Sequence, residues 1–199
     1  QYGNHNALNI GVETVGNTNE GAMKYYAGFH RRQGDGFRKS RSRYNVNDLT
    51  ANVTAKVGDK NEWRFFLNGF TEYSETPGGL SQAQWEQDPE QSVNPHDFFE
   101  ARRFSTAISY KRSFDETNSL TTSIYGSYLK RDWWLDNRIA TPSKRKFIAA
   151  LRDVPTVGLF SDYERTNTLF DKENKLLAGI RLHTDVTHEV SVAGDEMGK

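Results

Sequence analysis

The chain has 199 residues, and its 26 Lys and Arg balance its 26 Asp and Glu, so the net charge gives no general signal for nucleic-acid binding. It contains no cysteine, which excludes disulfide scaffolds, thiolate metal sites and cysteine nucleophiles within these residues. No segment approaches the roughly 20 apolar residues of a membrane-spanning helix. The hydrophobic share is only 35%, but the aromatic share of 13% argues against disorder.

Two β-hairpins are predicted in the first part of the chain. Apolar and polar residues alternate over 8–12 and again over 23–29, on either side of a polar turn. The most regular segment is 48–57, where Leu49, Val53 and Val57 share one face with two alanines. A short Gly-Asp-Lys turn leads from it into a second alternating run over 63–73, which completes the second hairpin.

The same pattern continues towards the C-terminus. Residues 103–110 and 120–128 alternate around an Asp-Glu-Thr-Asn turn and predict a third hairpin. A weaker candidate strand at 163–170 is followed by a turn and a clear strand at 176–182. The sequence therefore predicts about eight antiparallel strands in an up-and-down meander, an all-β fold with one domain over 1–199.

The connections alternate between short and long. Short polar turns at one side and long loops at the other are typical of outer-membrane barrels, whose turns are periplasmic and whose loops are extracellular. A soluble sandwich seldom separates its loops in this way. The long connections are predicted near 35–42, 76–100 and 135–160.

One face of each predicted strand is polar and the other is modestly apolar with aromatic ends. Trp63 and Tyr73, Tyr110 and Phe114, and Tyr128 and Trp134 stand where the interfacial girdles of a membrane barrel are expected. The same aromatics are also common in soluble sheets, where their strand propensity is high. We favour a partial transmembrane β-barrel, located in the bacterial outer membrane with lipid and lipopolysaccharide as its surroundings.

A resemblance to a known family enters at the loop after the fourth predicted strand. Segment 73–89 has the sequence YSETPGGLSQAQWEQDP, which resembles a loop of TonB-dependent outer-membrane receptors, especially the ferric citrate and related ferric siderophore type. In that group a strand ends in a Pro-Gly-Gly-Leu turn, and a short helix and an Asp-Pro step follow. Local physics agrees, because Ser81 is a suitable helix N-cap and Pro89 cannot continue the helix.

The resemblance implies TonB-dependent uptake of a ferric siderophore, with ferric citrate as one option, and no enzymatic activity. Receptors of this family have a plug domain and a 22-stranded barrel, and neither the plug nor enough strands are visible here. We therefore expect the chain to be a fragment of the barrel, with the TonB system acting through the missing N-terminal region. No cofactor is expected.

Candidate site residues are basic or aromatic and lie in or beside the predicted long loops. Arginine forks bind carboxylates in bidentate fashion, so a basic cluster suits an anionic ferric complex. The competing interpretation is that these residues pair with lipopolysaccharide phosphate or with local partners. No catalytic or metal site is predicted. The ligand-binding candidates are Arg31, Arg32, Arg38, Lys39, Arg41, Arg43 and Trp85, with a second basic run at Lys144, Arg145 and Lys146 and further aromatics at Phe98 and Phe99.

Two alternatives remain open at this point. A complete eight-stranded outer-membrane anchor or adhesin requires that the first and last strands pair. A secreted carbohydrate-binding β-sandwich requires two facing sheets with a shared apolar core.

Overall fold

The computed structural model describes residues 2–94, 96–136 and 147–194, most of which lie in β-strands. One short α-helix, α1 (Gln82–Gln87), lies in the loop between the fourth and fifth strands. A single 3-10 turn, Asn19–Gly21, joins the first two strands. The strands are β1 (Leu8–Thr18), β2 (Met23–Gly34), β3 (Tyr44–Val57), β4 (Asn61–Glu75), β5 (Phe98–Ser113), β6 (Asn118–Asp136), β7 (Phe147–Leu169), β8 (Lys172–Asp185) and β9 (His188–Gly194).

The strands form one antiparallel sheet in which each strand from β1 to β8 pairs with the next along the chain. This order is the predicted up-and-down meander. The register is continuous from strand to strand, so residues of one row share one face. One such row contains Tyr25, Val53, Phe65, Ile108, Ile124, Leu159 and Leu182.

Strands β8 and β9 lie end to end along β7, interrupted at residues 186–187. The pairing register does not change across the interruption: Asp185 of β8 pairs with Thr156, and His188 of β9 pairs with Asp153 three residues earlier in β7. The N–H of Val186 donates to the carbonyl of Pro155 at 3.2 Å, but proline has no N–H to return the bond. The sheet therefore has eight long spans, as predicted, although the ladder divides the last span into two strands.

The polar face of the sheet is better buried than the apolar face. Asn68 and Ser123 on the polar face are 6% and 1% exposed, whereas Phe65, Ile108 and Ile124 on the other face are 43%, 47% and 58% exposed. Soluble proteins show the reverse. A sheet that curls with its polar face inside, and whose apolar face is covered by none of the described residues, explains this distribution.

The exposed apolar residues form a continuous band, which we call the apolar belt. On β3 it runs eight residue steps from Leu49 to Val57, about 27 Å along the strand. A barrel-like tilt of about 40° reduces this to about 20 Å, close to the apolar band of outer-membrane barrels, about 25 Å tall. The belt comprises the exposed residues Met23, Tyr25, Phe29, Leu49, Val57, Trp63, Phe65, Phe104, Ile108, Ile124, Tyr128, Val157, Ile180 and Leu182, together with the half-buried Val53.

Of the aromatic ends predicted as girdles, Trp63 and Tyr110 lie at the turn side of the belt with ring centroids 4.7 Å apart. Tyr128 lies at its loop side, in one row with Leu49. Tyr73 and Trp134 lie farther out, beyond a polar row, so the strands extend past the belt at the loop end.

Both alternative architectures predict features that the described residues do not show. A sandwich requires a second sheet over the apolar face, yet Leu49 and Val57 remain 45% and 56% exposed. A closed eight-stranded barrel requires pairing of the first and last strands. Within the described part of the chain, β1 pairs only with β2, and β8 only with β7.

Several strand glycines lie under an aromatic ring from a neighbouring position. A Cβ added at Gly158 would lie 2.3 Å from the Tyr125 ring, and one at Gly28 would lie 2.4 Å from the Tyr26 hydroxyl. A glycine inside a strand often marks such a close approach. These glycines therefore let large aromatic side chains lie flat on the polar face.

The loop predicted at 135–160 is wrong over its second half. Strand β7 begins at Phe147, and residues 147–160 pair with β6 along their whole length. The sequence pattern does not predict this strand, because Ile-Ala-Ala-Leu at its start does not alternate and Pro155 argues against a position inside a sheet. Residues 137–146 lie outside the described residues. The other long loops end near the predicted limits, at 35–43 and 76–97.

Candidate ligand-binding site

The two long loops for which the structure gives contacts, 35–43 and 76–97, meet at one end of the sheet. The backbone N–H of Lys39 donates to the carbonyl of Glu90 at 2.8 Å. The Lys39 ammonium lies 2.7 Å from Asp88, and the Arg38 guanidinium donates to the carbonyl of Gln91 at 2.7 Å. These contacts join the predicted basic cluster to the loop that carries the family-like motif.

The ion pair between Lys39 and Asp88 shifts the pKa values of both groups in the directions expected when each stabilises the charge of the other. The hydrogen bond from Lys39 lowers the pKa of the Asp88 carboxyl, and the same bond raises the pKa of the lysine. The lysine side chain is nevertheless 62% exposed, so solvent screens the pair. It positions the loop more than it stabilises the fold.

A buried carboxylate organises two further arginines of the cluster. The Glu75 side chain is only 2% exposed and lies 3.1 Å from Arg43 and 3.4 Å from Arg41. It also accepts the backbone N–H of Arg43 at 3.1 Å. These contacts hold both guanidinium groups at the rim of a cleft of 580 Å³ that is lined by loop 35–43 and Glu75. The Arg41 and Arg43 side chains are 38% and 67% exposed, so both can still contact an anion.

Three of the predicted ligand-binding residues lie apart from this cleft. Arg31 and Arg32 are consecutive in β2 and therefore point to opposite faces: Arg31 shares the outer row of Ile10 and Asn47, and Arg32 points to the polar face. Trp85 lies on α1 and is 55% exposed. The structure thus brings together only four of the seven predicted residues.

The local conformation of α1 agrees with the sequence prediction. Ser81 is the N-cap and accepts the Gln84 N–H at 3.4 Å, while the Gln84 side chain accepts the Ser81 N–H at 2.8 Å. This reciprocal pair is a capping box. The helix spans only Gln82–Gln87 before Asp88 and Pro89 end it.

A second arginine group lies on the polar face near the loop end, and we call Arg103, Arg131 and Arg152 the inner arginine group. Arg131 and Arg152 lie directly opposite each other on β6 and β7. Like charges in this relationship destabilise a sheet unless other groups compensate them. Arg152 pairs with Glu189 at 2.7 Å, but the buried Nε of Arg131 has no hydrogen-bond partner in the described residues.

Aromatic rings accompany the inner arginine group. The guanidinium of Arg103 lies 5.4 Å from the centre of the Phe70 ring, and that of Arg131 lies 5.8 Å from the Phe99 ring. Trp133 is directly opposite Phe99 on β6 and is 37% exposed. Arginine forks next to aromatic planes can bind carboxylates and stack on flat ligands.

The polar network around Arg103 also fixes its position. Arg103 donates to the Asn68 side-chain oxygen at 3.1 Å. The Asn68 amide nitrogen in turn donates to Thr50 at 3.0 Å and lies 3.3 Å from Asp48. The arginine is therefore oriented by a buried asparagine that is itself fully hydrogen-bonded.

The sequence contained a signal for only part of this group. Arg103 lies on the predicted polar face of β5. Alternation alone, however, does not show which residue of the neighbouring strand is opposite Arg103. Arg131 follows the point at which the third predicted hairpin ends, and Arg152 lies in the segment predicted as loop. Phe99, a predicted aromatic candidate, is the ring that contacts Arg131.

The described residues contain no group of three or more His, Asp or Glu side chains placed to share a metal ion. In the same ranges, no helix is long and apolar enough to cross a lipid bilayer. The basic run Lys144, Arg145 and Lys146 lies outside the described residues.

No family model matches the sequence, and no curated protein matches it significantly. Among solved structures, the fold is similar to that of the ferric citrate transporter FecA in its unliganded form, with a TM-score of 0.86 and 18% sequence identity. The match covers 98% of this chain but only 29% of the transporter chain. An identity this low shows a shared fold alone: the chain has the fold of a portion of that transporter's barrel.

Proposed function

We propose that this chain forms part of the wall of an outer-membrane barrel that takes up a ferric siderophore in a TonB-dependent manner, with ferric citrate as the first ligand to test. The observation that carries the proposal is the inverted burial of the sheet. Enclosed polar residues such as Ser123 and exposed apolar residues such as Ile124 suit a wall between lipid and an aqueous passage. The similarity to a portion of a ferric citrate transporter supports the same assignment.

The inner arginine group supports an anionic ligand. Ferric citrate and most ferric siderophores carry negative charge, and the three arginines face the enclosed side of the sheet at the loop end. The cleft beside Arg41 and Arg43 offers a second basic surface among the loops. In this proposal the loops gather the ligand and the inner arginines receive it.

These residues would bind the ligand and line its passage, and they would make no covalent bond with it. TonB would act through other regions of the complete protein. The long loops would face the outside and the short turns the periplasm, as in other outer-membrane barrels.

Binding of radiolabelled ferric citrate and of other ferric siderophores to the complete protein in isolated outer membranes tests the proposal. We expect saturable binding of one ferric complex, weakened about tenfold or more by Arg131→Gln, since a charge-assisted hydrogen bond contributes roughly 1.5–3 kcal/mol. Arg64→Gln is the matched control, because Arg64 also lies on the polar face but near the turn end, where it pairs with Glu62 at 2.7 Å.

Two results would contradict the proposal. The complete protein could be absent from the outer membrane, or it could bind no ferric complex there. Equal loss of binding in the Arg131 and Arg64 variants would remove the role of the inner arginine group.

A further inference from the structure

We propose that strands β5 and β6 carry, on their outer face, a binding site for one molecule of lipopolysaccharide: an acyl chain in a groove of the apolar belt and a lipid A phosphate at Arg102 and Lys130. This inference rests on the proposed outer-membrane location. It concerns the lipid-facing surface and is independent of the ferric ligand.

The groove is an apolar depression of 530 Å³ in the belt. It exists because Thr106 and Gly126 are directly opposite each other, so that two small residues lie between rows of large ones. Ile108, Ile124 and Val157 form its sides, and Trp63 and Tyr110 close the end near the turns.

The polar atoms that border the groove are already satisfied inside the sheet. The Thr106 hydroxyl donates to the carbonyl of Phe66 at 3.1 Å, and the Thr122 hydroxyl is 2.9 Å from that of Ser161. Their methyl groups are therefore what remains for the groove surface, and a hydrocarbon chain meets no unpaired polar group there.

A pair of cations lies above the groove on the same two strands. Along β5 and β6, the Thr106–Gly126 pair is followed towards the loops by Phe104 and Tyr128 and then by Arg102 and Lys130, which are directly opposite each other. Both cations are exposed. Like charges placed opposite each other destabilise a sheet unless a shared anion compensates them.

The neighbouring carboxylates leave one of these cations free. The Lys130 ammonium is 3.8 Å from Asp132, and Asp153 accepts the Tyr128 hydroxyl at 2.7 Å. Glu100, two residues from Arg102, faces Asp132 across the two strands. In the described part of the chain, the Arg102 guanidinium makes no hydrogen bond or ion pair.

The dimensions fit one amphiphile. From the row of Ile108 and Ile124 to the row of Arg102 and Lys130 there are six residue steps along the strand, about 20 Å. An acyl chain of an outer-membrane lipid spans a comparable length, and its phosphate then lies at the two cations. Arginine forks and lysine ammonium groups are the usual protein partners of phosphate.

The position of the cation pair at the loop end of the sheet indicates which lipid it binds. In the proposed orientation the cation pair lies at the outer leaflet, where the phosphate-bearing lipid is lipopolysaccharide. Positive charge immediately above an apolar surface also suits anionic headgroups in general. A phospholipid is therefore the competitor that the experiment must distinguish.

The experiment measures the lipopolysaccharide that remains bound to the complete protein after purification in mild detergent, by native mass spectrometry. We expect one tightly bound molecule of lipopolysaccharide. The amount retained should be lower by about tenfold or more in the Arg102→Ala/Lys130→Ala variant. Gly126→Leu, which fills the groove from a position where an added Cβ meets only the Thr156 carbonyl at 3.4 Å, should lower retention as well.

Arg112→Ala/Arg165→Ala is the matched control, because these two arginines also lie on the outer face of the sheet, but at the end near the short turns. Unchanged retention in the Arg102/Lys130 variant would overturn the inference, and so would equal retention of added phosphatidylglycerol by the unaltered protein. A protein that does not fractionate with the outer membrane would instead contradict the proposed function. The two failures are therefore distinguishable.

Discussion

Ser123 and Ile124 are consecutive residues in β6, and they are 1% and 58% exposed. The hydroxyl of Ser123 donates to that of Ser109 at 2.7 Å on the polar face. Ile124 lies in the apolar belt between Ile108 and Leu159. Adjacent residues on opposite faces of the strand therefore differ sharply in exposure: the polar face of the sheet is enclosed, and the apolar face is outermost.

A charge placed in the middle of the belt should impair folding in a membrane. Ile124→Arg is expected to cost about 2–4 kcal/mol in lipid, because in the proposed outer-membrane location the arginine lies near the hydrocarbon midplane. The free energy of unfolding by urea, measured for the complete protein in lipid vesicles, checks this value. The matched control is Ser127→Arg on the polar face of the same strand, for which we expect less than half of that cost; equal costs would contradict the assignment of faces.

The contact between Gly158 and Tyr125 should be sensitive to one methyl group. An alanine Cβ at 158 would lie 2.3 Å from the ring and would displace Tyr125 from His183, 2.8 Å away, and from Arg181, 3.1 Å away. We expect Gly158→Ala to lower the free energy of unfolding by about 1–3 kcal/mol.

Gly69→Ala serves as the control for Gly158→Ala, because a Cβ at Gly69 meets no atom within 4 Å. Its effect should be neutral or slightly stabilising. Tyr125→Phe separates the two causes, since it removes the hydroxyl contacts but leaves the ring. If the alanine variants at 158 and 69 behave alike, the ring does not lie over Gly158.

Loop 35–43 should open when its buried carboxylate is neutralised. Glu75→Gln removes the charge that Arg41 and Arg43 share, and losing charge-assisted hydrogen bonds costs roughly 1.5–3 kcal/mol. Tryptic cleavage in the loop should then be about tenfold faster or more. Asp88→Asn is the comparison: it breaks only the solvent-screened pair with Lys39, so cleavage should accelerate much less. An equally large acceleration would show that Glu75 has no special role.

The turn between β5 and β6 should lose protection in acid. Asp115 accepts hydrogen bonds from Thr117 and Asn118, by side chain and backbone, and these bonds lower its pKa from 3.8 to about 2. A lowered carboxyl pKa means that the stabilisation is present above about pH 4 and is lost as the pH falls towards 2.

Hydrogen exchange at the Thr117 and Asn118 amides measures this change in the turn. Protection should fall between about pH 4 and pH 2, after correction for intrinsic exchange. Asp115→Asn should lower protection at neutral pH and flatten the dependence. A pH dependence identical in the variant would assign the transition to another group.

The sequence predicts the parts of this fold that depend on alternation alone. In β3 the period of two is unbroken, so the face of Leu49 and Val53 could be predicted without coordinates. The meander and the alternation of short and long connections follow from the same pattern. The loop motif at 73–89 also predicted the capped helix that the structure contains.

The remaining features depend on relationships between strands. The opposition of Arg131 and Arg152 requires the β6–β7 register, and no local pattern contains it. Strand β7 lacks alternation at its start and contains Pro155, so its sequence pattern predicts a loop up to residue 160, where the structure has a strand from Phe147. The pairing of Arg41 and Arg43 with Glu75 joins residues 32 or more positions apart, which explains why a basic cluster in the sequence becomes a largely paired cluster in the fold.

Site-specific quenching along β6 tests the central claim most directly. These 199 residues contain no cysteine. With any cysteine elsewhere in the complete protein replaced by serine, a cysteine introduced at each position from 121 to 128 can carry a fluorescent label in lipid vesicles. The account predicts that quenchers attached to acyl chains act at 122, 124, 126 and 128, and that water-soluble quenchers act at the positions between. Uniform quenching by the aqueous reagent, or lipid contact at the odd positions, would contradict it.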